Sequence, residues 1–240
     1  MSKAKARPAN QMRSIKIIKN FINYPAGSVL IQVGDTKVVC AATVEEKVPG
    51  FLRDQKCGWV TAEYSMLPSS THSRTPREAS RGKLSGRTQE IQRLIGRSLR
   101  TIVDLEALGE RTVWIDCDVI QADGGTRCAS ITGAFIALCL ALKKMKTQKK
   151  INTIPIHDFV AAVSVGIING KPTLDLDYKQ DSTAEVDMNV IKTGSGLYVE
   201  IQGTAERKPF DDKKMLSLLN LADKGIRDLI TQQKKAIGKI

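Results

Sequence analysis

Histidine is scarce in this 240-residue chain: there are only two. His72 lies in a polar stretch and His157 in a Pro155-to-Asp158 loop. Neither stands in a cysteine or acid pattern, so neither is assigned a ligand or base role. Paired cysteines are missing as well. Cys40, Cys57, Cys117, Cys128 and Cys139 are odd in number and scattered without a CxxC, which suits free thiols in a reducing compartment and sets the expectation of a cytoplasmic protein. Long apolar runs are lacking. The longest, residues 134–142, falls well short of the ~20 residues that a membrane-spanning helix requires. The basic start MSKAKARP is followed by no apolar stretch, so a secretory signal is not expected. Acidic residues are outnumbered, 25 against 37 Lys and Arg, for a formal charge of +12. That balance points to a polyanion such as nucleic acid. An anionic membrane fits less well, because no basic amphipathic helix carries an aromatic anchor.

The strongest periodic signals flank residues 121–130, QADGGTRCAS. Before them, residues 112–120 alternate Val113, Ile115, Cys117 and Val119 with Trp114, Asp116 and Asp118, which predicts a strand. After them, Ile131, Ala134, Phe135, Leu138, Leu142 and Met145 keep helical spacing, and Lys143, Lys144 and Lys146 suit a helix C-terminus. Gly124 and Gly125 therefore stand where a strand hands over to a helix. Glycine lets backbone N–H groups approach a ligand, and the open first turn favours an anion. Thr126 adds a hydroxyl and Arg127 a forked cation. A plain tight turn would explain the glycine pair equally well.

The remaining chain reads as one unit, residues 1–240, with a basic mobile arm at 1–10. Residues 27–33 and 36–44 predict a hairpin about Gly34-Asp35, and 59–64 a third strand. The stretch 69–86 is long for a connection, carries Arg74, Arg77, Arg81 and Lys83, and has no Phe, Tyr or Trp. It suits backbone tracking along RNA, or a plain solvated loop, better than base stacking. Residues 87–103 predict a helix with Ile91, Leu94, Ile95, Leu99 and Ile102 inward; Arg93, Arg97 and Arg100 share the other face, as a solvated side or a basic stripe. Arg87 opens that helix after Gly86 and predicts a second anion-attracting helix end. Residues 160–168 and 173–177 predict a hairpin about Asn169-Gly170, its second strand held to an edge by Pro172. Asp177, Asp181, Glu185 and Asp187 form the one crowd of carboxylates, with Asp187 facing away from Val186, Met188 and Val190. They suit a hard cation such as Mg²⁺ or a solubilising turn, with Asp116 and Asp118 as rival ligands. A strand at 197–202 and a helix from Asp211, broken near Gly225, complete the chain. Strands followed by a helix thus occur twice.

Seven blocks in order, GSVLIQVGDTKVVCAATVE, GWVTAEYSMLP, GRTQEIQRLIGRSLR, IDCDVIQADGGTRCASITGA, VAAVSVGI, DSTAEVDMNV and VEIQGTAE, resemble those of the bacterial ribonuclease PH family. Its members are phosphorolytic 3′ exoribonucleases of transfer RNA maturation. The resemblance implies an α/β (α+β) fold of the ribosomal protein S5 domain 2-like type with two related halves, and a homohexamer built as a trimer of dimers. It implies phosphate binding by Arg87, Gly125, Thr126 and Arg127, with inorganic phosphate as co-substrate. It gives Asp181 and Asp187 the catalytic and metal role in preference to Asp116 and Asp118, and makes Arg74 and Arg77 contacts to transfer RNA precursors. Cys128 replaces a common threonine, and Ser14 follows Arg13 where proline is common. The competing reading is a non-catalytic RNA-binding subunit of a larger exonuclease ring, which typically lacks part of the phosphate site or the acidic pair.

Overall fold

A computed structural model describes residues 7–206, 208–238 and 240. The first five strands are β1 (Ile15–Lys19), β2 (Gly27–Val33), β3 (Thr36–Glu45), β4 (Trp59–Met66) and β5 (Thr112–Gln121). They form one sheet in the order β1-β2-β3-β5-β4, antiparallel except for the parallel β4–β5 pair. Joining parallel strands needs a crossover. Helices α1 (Gly86–Arg100) and α2 (Leu105–Leu108) lie on that connection. After α3 (Thr126–Thr147), strands β6 (Val160–Ile168), β7 (Lys171–Leu174), β8 (Val186–Thr193) and β9 (Tyr198–Ala205) build an antiparallel sheet in the order β7-β6-β8-β9. The one-turn helix α4 (Tyr178–Asp181) leads towards β8, and α5 (Asp212–Ile237) ends the fold.

Burial follows side-chain period. In β5, Val113, Ile115, Cys117 and Val119 are buried as their alternation predicts. In β6 all but the last residue are buried, because Val160 and Ala162 join the core around α3 while Ala161, Val163 and Val165 join the core beneath α5. The second sheet is therefore covered on both faces. The layers run first sheet, α1 with α3, second sheet, α5. α3 lies between the sheets and is buried nearly all round, not on one stripe. By length and mean hydropathy it is apolar enough to cross a membrane, yet 83% of its most apolar window is buried inside the fold. Thr132 and Gly133 cut the apolar run short in sequence, yet both are buried with the rest of the helix. All five cysteines are free.

Several expectations change. Residues 1–6 of the expected mobile arm lie outside the described residues, but 7–10 are docked: the Arg7 guanidinium donates to the carbonyls of Leu174 (2.9 Å) and Asp175 (2.8 Å), and Leu174 N–H donates to Ala9 O at 2.7 Å. The arginine face of α1 is not one stripe. Arg100 stacks over Trp59 at 4.3 Å and donates to Val60 O, the exposed Arg97 pairs with Glu200 at 3.2 Å, and Arg93 is exposed with no ion pair among the described residues. β7 starts at Lys171 and ends at Leu174, with Pro172 inside it, which an edge strand tolerates. Gly225 does not break α5. A Cβ there would stand 2.8 Å from Leu174 Cδ1 and 3.1 Å from Val163 Cγ2, so this glycine lets the helix pack closely on the second sheet.

Candidate active site

The turn between β5 and α3 is built so that its carbonyls point one way and its amides the other. Thr36 Oγ1 accepts from Asp123 N–H at 2.9 Å and donates to Gly124 O at 2.7 Å. Arg13 donates to the carbonyls of Asp123 and Gly124. That guanidinium is itself fixed by Asp175, which receives Nε at 3.0 Å and Nη2 at 2.7 Å. The charged bidentate pair keeps Arg13 firmly protonated despite burial. With the carbonyls of Asp123 and Gly124 held back, the trans peptide planes turn the N–H groups of Gly124 and Gly125 the opposite way. Among the described residues neither amide has a partner. Gly124 and Gly125 both adopt left-handed φ, +74° and +66°. At Gly124 a Cβ would also meet Leu176 O at 2.5 Å and Tyr178 N at 2.8 Å, so only glycine fits. Gly125 is the N-cap of α3 and no side chain caps the first turn, which leaves its donors and dipole open.

These groups line a cavity of about 400 Å³ together with Arg87, Thr126, Arg127, Asp181, Asp187, Asn189, Ser164, Tyr178 and His72. The structure thus brings together the expected phosphate-binding residues and the acidic pair, which lie 54 to 100 positions apart in the chain. Arg87 makes no hydrogen bond or ion pair with any described residue. Arg127 is held at one end only: its Nη1 donates to Gln202 Oε1 at 2.7 Å and lies 3.3 Å from Glu90, while Gln202 Nε2 donates to Glu90 at 2.8 Å. Its remaining donors stay free. Thr126 Oγ1 is 2.9 Å from the buried hydroxyl of Tyr64.

The carboxylates meet the cations across this space. Asp187 sits on β8 with Val186, Met188 and Val190 turned into the core, so the pleat directs it to the other face. Its Oδ1 is buried and partnerless among the described residues, and Oδ2 receives only a long 3.5 Å bond from Asn189. Burial, then the charge of Asp181, raise its pKa to about 6 against the pull of Arg127. Burial also raises Asp181, with Arg87 and Arg127 opposing. Two carboxylates held partly against ionisation beside two cations form the kind of perturbed pair that marks reactive sites.

Other candidates fall elsewhere. Asp116 and Asp118 lie on the β5 face away from the core, beside Glu63, and outside the cavity; burial and that neighbour raise both. Arg74 and Arg77 are exposed on the loop outside the cavity wall, and Arg77 faces Asp118. The N-terminus of α1 is no open anion site. Ser85 caps it by accepting from Thr88 N–H, and Glu78 receives Ser85 N–H and Thr88 Oγ1. Arg87 contributes its side chain alone. The sequence reading passes over Tyr178, Asn189, Arg13, Glu90 and Gln202 as site residues, and gives His72 no part. Of these, Asn189 beside Asp187 carries a local signal; the others arrive by tertiary contact.

The 3′ exoribonuclease family models match here, domain 1 over residues 11–144 and domain 2 over 158–225. The chain belongs to the ribonuclease PH family. It is 63% identical over 238 residues to the ribonuclease PH of Syntrophomonas wolfei, covering 99% of this chain and 100% of that one. It is 58% identical over 235 residues to the ribonuclease PH of Bacillus cereus strain G9842, covering 98% and 96%. Among solved structures, rice Rrp46 superposes with a TM-score of 0.78 at 15% identity, covering 96% of this chain and 98% of that one. An Archaeoglobus fulgidus exosome with RNA bound to its active site gives 0.77 at 22%, covering 94% and 90%. These distant likenesses speak to the fold, which is the two-sheet α/β arrangement of ribonuclease PH.

Proposed function

We propose that this cavity is the centre where the chain, by family a phosphate-dependent 3′ exoribonuclease of transfer RNA processing, brings inorganic phosphate to the last phosphodiester of an RNA. One observation carries the reading. A single cavity holds unpartnered anion donors on one side, at the Gly124-Gly125 turn, Arg87 and Arg127, and an unpartnered buried carboxylate oxygen of Asp187 on the other. Phosphate and phosphodiester are both anions, and two unit charges 4 Å apart repel by about 4 kcal/mol at an effective dielectric of 20. The arginines and amides offset that repulsion and hold the attacking oxygen in line. The new P–O bond forms to inorganic phosphate, the bond from phosphorus to the 3′ oxygen of the penultimate nucleotide breaks, and the proton of hydrogen phosphate ends on that 3′ hydroxyl. A nucleoside diphosphate leaves. Bond type is preserved, so nucleotide addition is the reverse reaction.

Asp181 and Asp187 suit a hard divalent cation: the Oδ1 of Asp187 lacks any partner, and two carboxylates leave the rest of an octahedral shell to water and substrate oxygen, as Mg²⁺ prefers. When bound, Mg²⁺ supplies charge neutralisation at the scissile phosphate. In the same reading Arg74 and Arg77 hold the backbone of the RNA outside the cavity, and the chain works as a homohexamer, a trimer of dimers, in the cytoplasm. Exposed Phe21, Tyr24, Leu197 and Tyr198 are apolar surface that such an assembly would cover, and the buried free thiols suit a reducing compartment.

The test is a transfer RNA precursor with extra 3′ nucleotides, incubated with the protein and Mg²⁺ with and without phosphate. Phosphate-dependent nucleoside diphosphates are expected. Monophosphates released without phosphate would mean hydrolysis, and binding without shortening would mean a non-catalytic ring subunit.

A further inference from the structure

The arginines and amides account for phosphate but leave the nucleobase of the last nucleotide without a contact. The basic loop has no Phe, Tyr or Trp, and from sequence it offers no stacking surface. The fold supplies one from elsewhere. Tyr178, the first residue of α4, stands in the cavity wall with its ring 6.0 Å from that of His72 on the loop, tilted by 53°. The tyrosine is 54% exposed and its hydroxyl has no partner among the described residues.

Its backbone, by contrast, is fixed. Tyr178 N–H donates to Asp123 Oδ1 at 3.3 Å, Asp177 and Gln180 form a reciprocal capping box, and Arg7 holds Gln180 Oε1 at 3.2 Å. Gly124 presses against the peptide joining Asp177 to Tyr178, tight enough to exclude a methyl group. The backbone that carries the ring is therefore fixed beside the glycine turn, and the ring stands in the cavity wall. Three residues on, Asp181 projects from the same side of the same helical turn. An aromatic face one turn from the carboxylate lies where a base belongs when its own phosphodiester is in the cavity.

We propose that Tyr178, backed by His72, is the stacking wall for the 3′-terminal nucleobase of the RNA; this rests on the phosphorolytic reading of the cavity. Every base presents a π-face, so such a wall accepts all four, as an enzyme that removes successive nucleotides requires. Stacking of one base on one aromatic side chain corresponds to about 5- to 150-fold in affinity.

The experiment uses the full chain and short RNAs ending in 2-aminopurine, whose fluorescence is quenched by stacking, with phosphate omitted. Quenching is expected on the wild type and on Tyr178→Phe, and its loss on Tyr178→Ala. With phosphate present, Tyr178→Ala is expected to raise the KM for RNA about 5- to 150-fold and leave the KM for phosphate unchanged. An RNA with an abasic 3′ nucleotide should be insensitive to Tyr178→Ala, and His72→Ala should give a smaller effect of the same kind. Wild-type quenching by Tyr178→Ala, or an equal effect of that change on the abasic RNA, would overturn the wall. If the wild type released no diphosphates, the phosphorolytic reading itself would fail; diphosphate release with unaltered stacking readouts would remove the wall alone.

Discussion

Two long helices, α1 and α3, begin at the edge of the cavity, and their first turns are built in opposite ways. α1 is closed: Ser85 accepts from Thr88 N–H, Thr88 Oγ1 and Ser85 N–H both reach Glu78, and an acid therefore already occupies the positive end of the dipole. α3 is open: its N-cap is Gly125 with no side chain to fold back, and the preceding amides have no partner among the described residues. Both ends carry an arginine in their first turn, Arg87 and Arg127. A helix start is an anion site only where its own sequence leaves the donors unfilled. The difference between serine and glycine at one position decides which end is capped and which is left open.

The hardest break in the comparison is at the carboxylate facing the open end. Asp187→Asn should lower turnover in both directions by at least about a thousandfold, with RNA binding retained. It should also stabilise the protein. The pKa of Asp187 is raised to about 6 in the folded chain by burial and Asp181, so between its ordinary value near 3.8 and about 6 the native state binds more protons than the unfolded one. Stability from this group therefore falls as pH rises through that window, on the order of 2 kcal/mol. In metal-free buffer at pH 7.5 the Asn variant should melt a few degrees above the wild type, and at pH 4 the gap should close. For the wild type, kcat should rise with pH through about 6, and added Mg²⁺ should move that limb to lower pH. A falling limb would instead make Asp187 a proton donor.

Removing either arginine of the cavity should cost less. Arg127→Met and Arg87→Met should each lower kcat/KM for phosphate about 100-fold, measured with RNA saturating. Arg100→Met is the control on α1: that side chain covers Trp59 and bonds Val60 O, so its loss should cost stability, roughly 1 kcal/mol, and leave phosphate kinetics alone.

What could be read in advance follows the same division. Elements governed by local period were legible: the hairpin about Gly34-Asp35, β5 with its alternation, and the inward face of α1. The glycine turn and the helix start at Thr126-Arg127 were legible as a strand-to-helix junction with open donors because strand, turn and helix lie consecutively. Asp187 was legible in direction, since the pleat fixes which way it faces. By contrast, Gly225 looked like a break because sequence does not show Leu174 and Val163 pressing on its helix. The arginine stripe dissolved because Arg100 and Arg97 find partners on β4 and β9, which no spacing within α1 encodes. Arg13 and Asp175, 162 positions apart, clamp the glycine turn through a contact that exists only in the fold.

The smallest effects sharpen the comparison at the closed end. Ser85→Ala removes a helix cap and should cost about 1 kcal/mol of stability by thermal melting. It exposes the donors of Thr88 that Ser85 had filled, yet Glu78 still stands over them, so the KM for phosphate should not change. Gly86→Ala has open space around its Cβ and no left-handed φ, and should be neutral or stabilise by about 0.5 kcal/mol. The matching change at the open end, Gly124→Ala, meets Leu176 O and a left-handed backbone, and should lose both stability and activity. A phosphate KM that moved with Ser85→Ala would mean that the closed helix end shares the anion, and the distinction between the two ends would go.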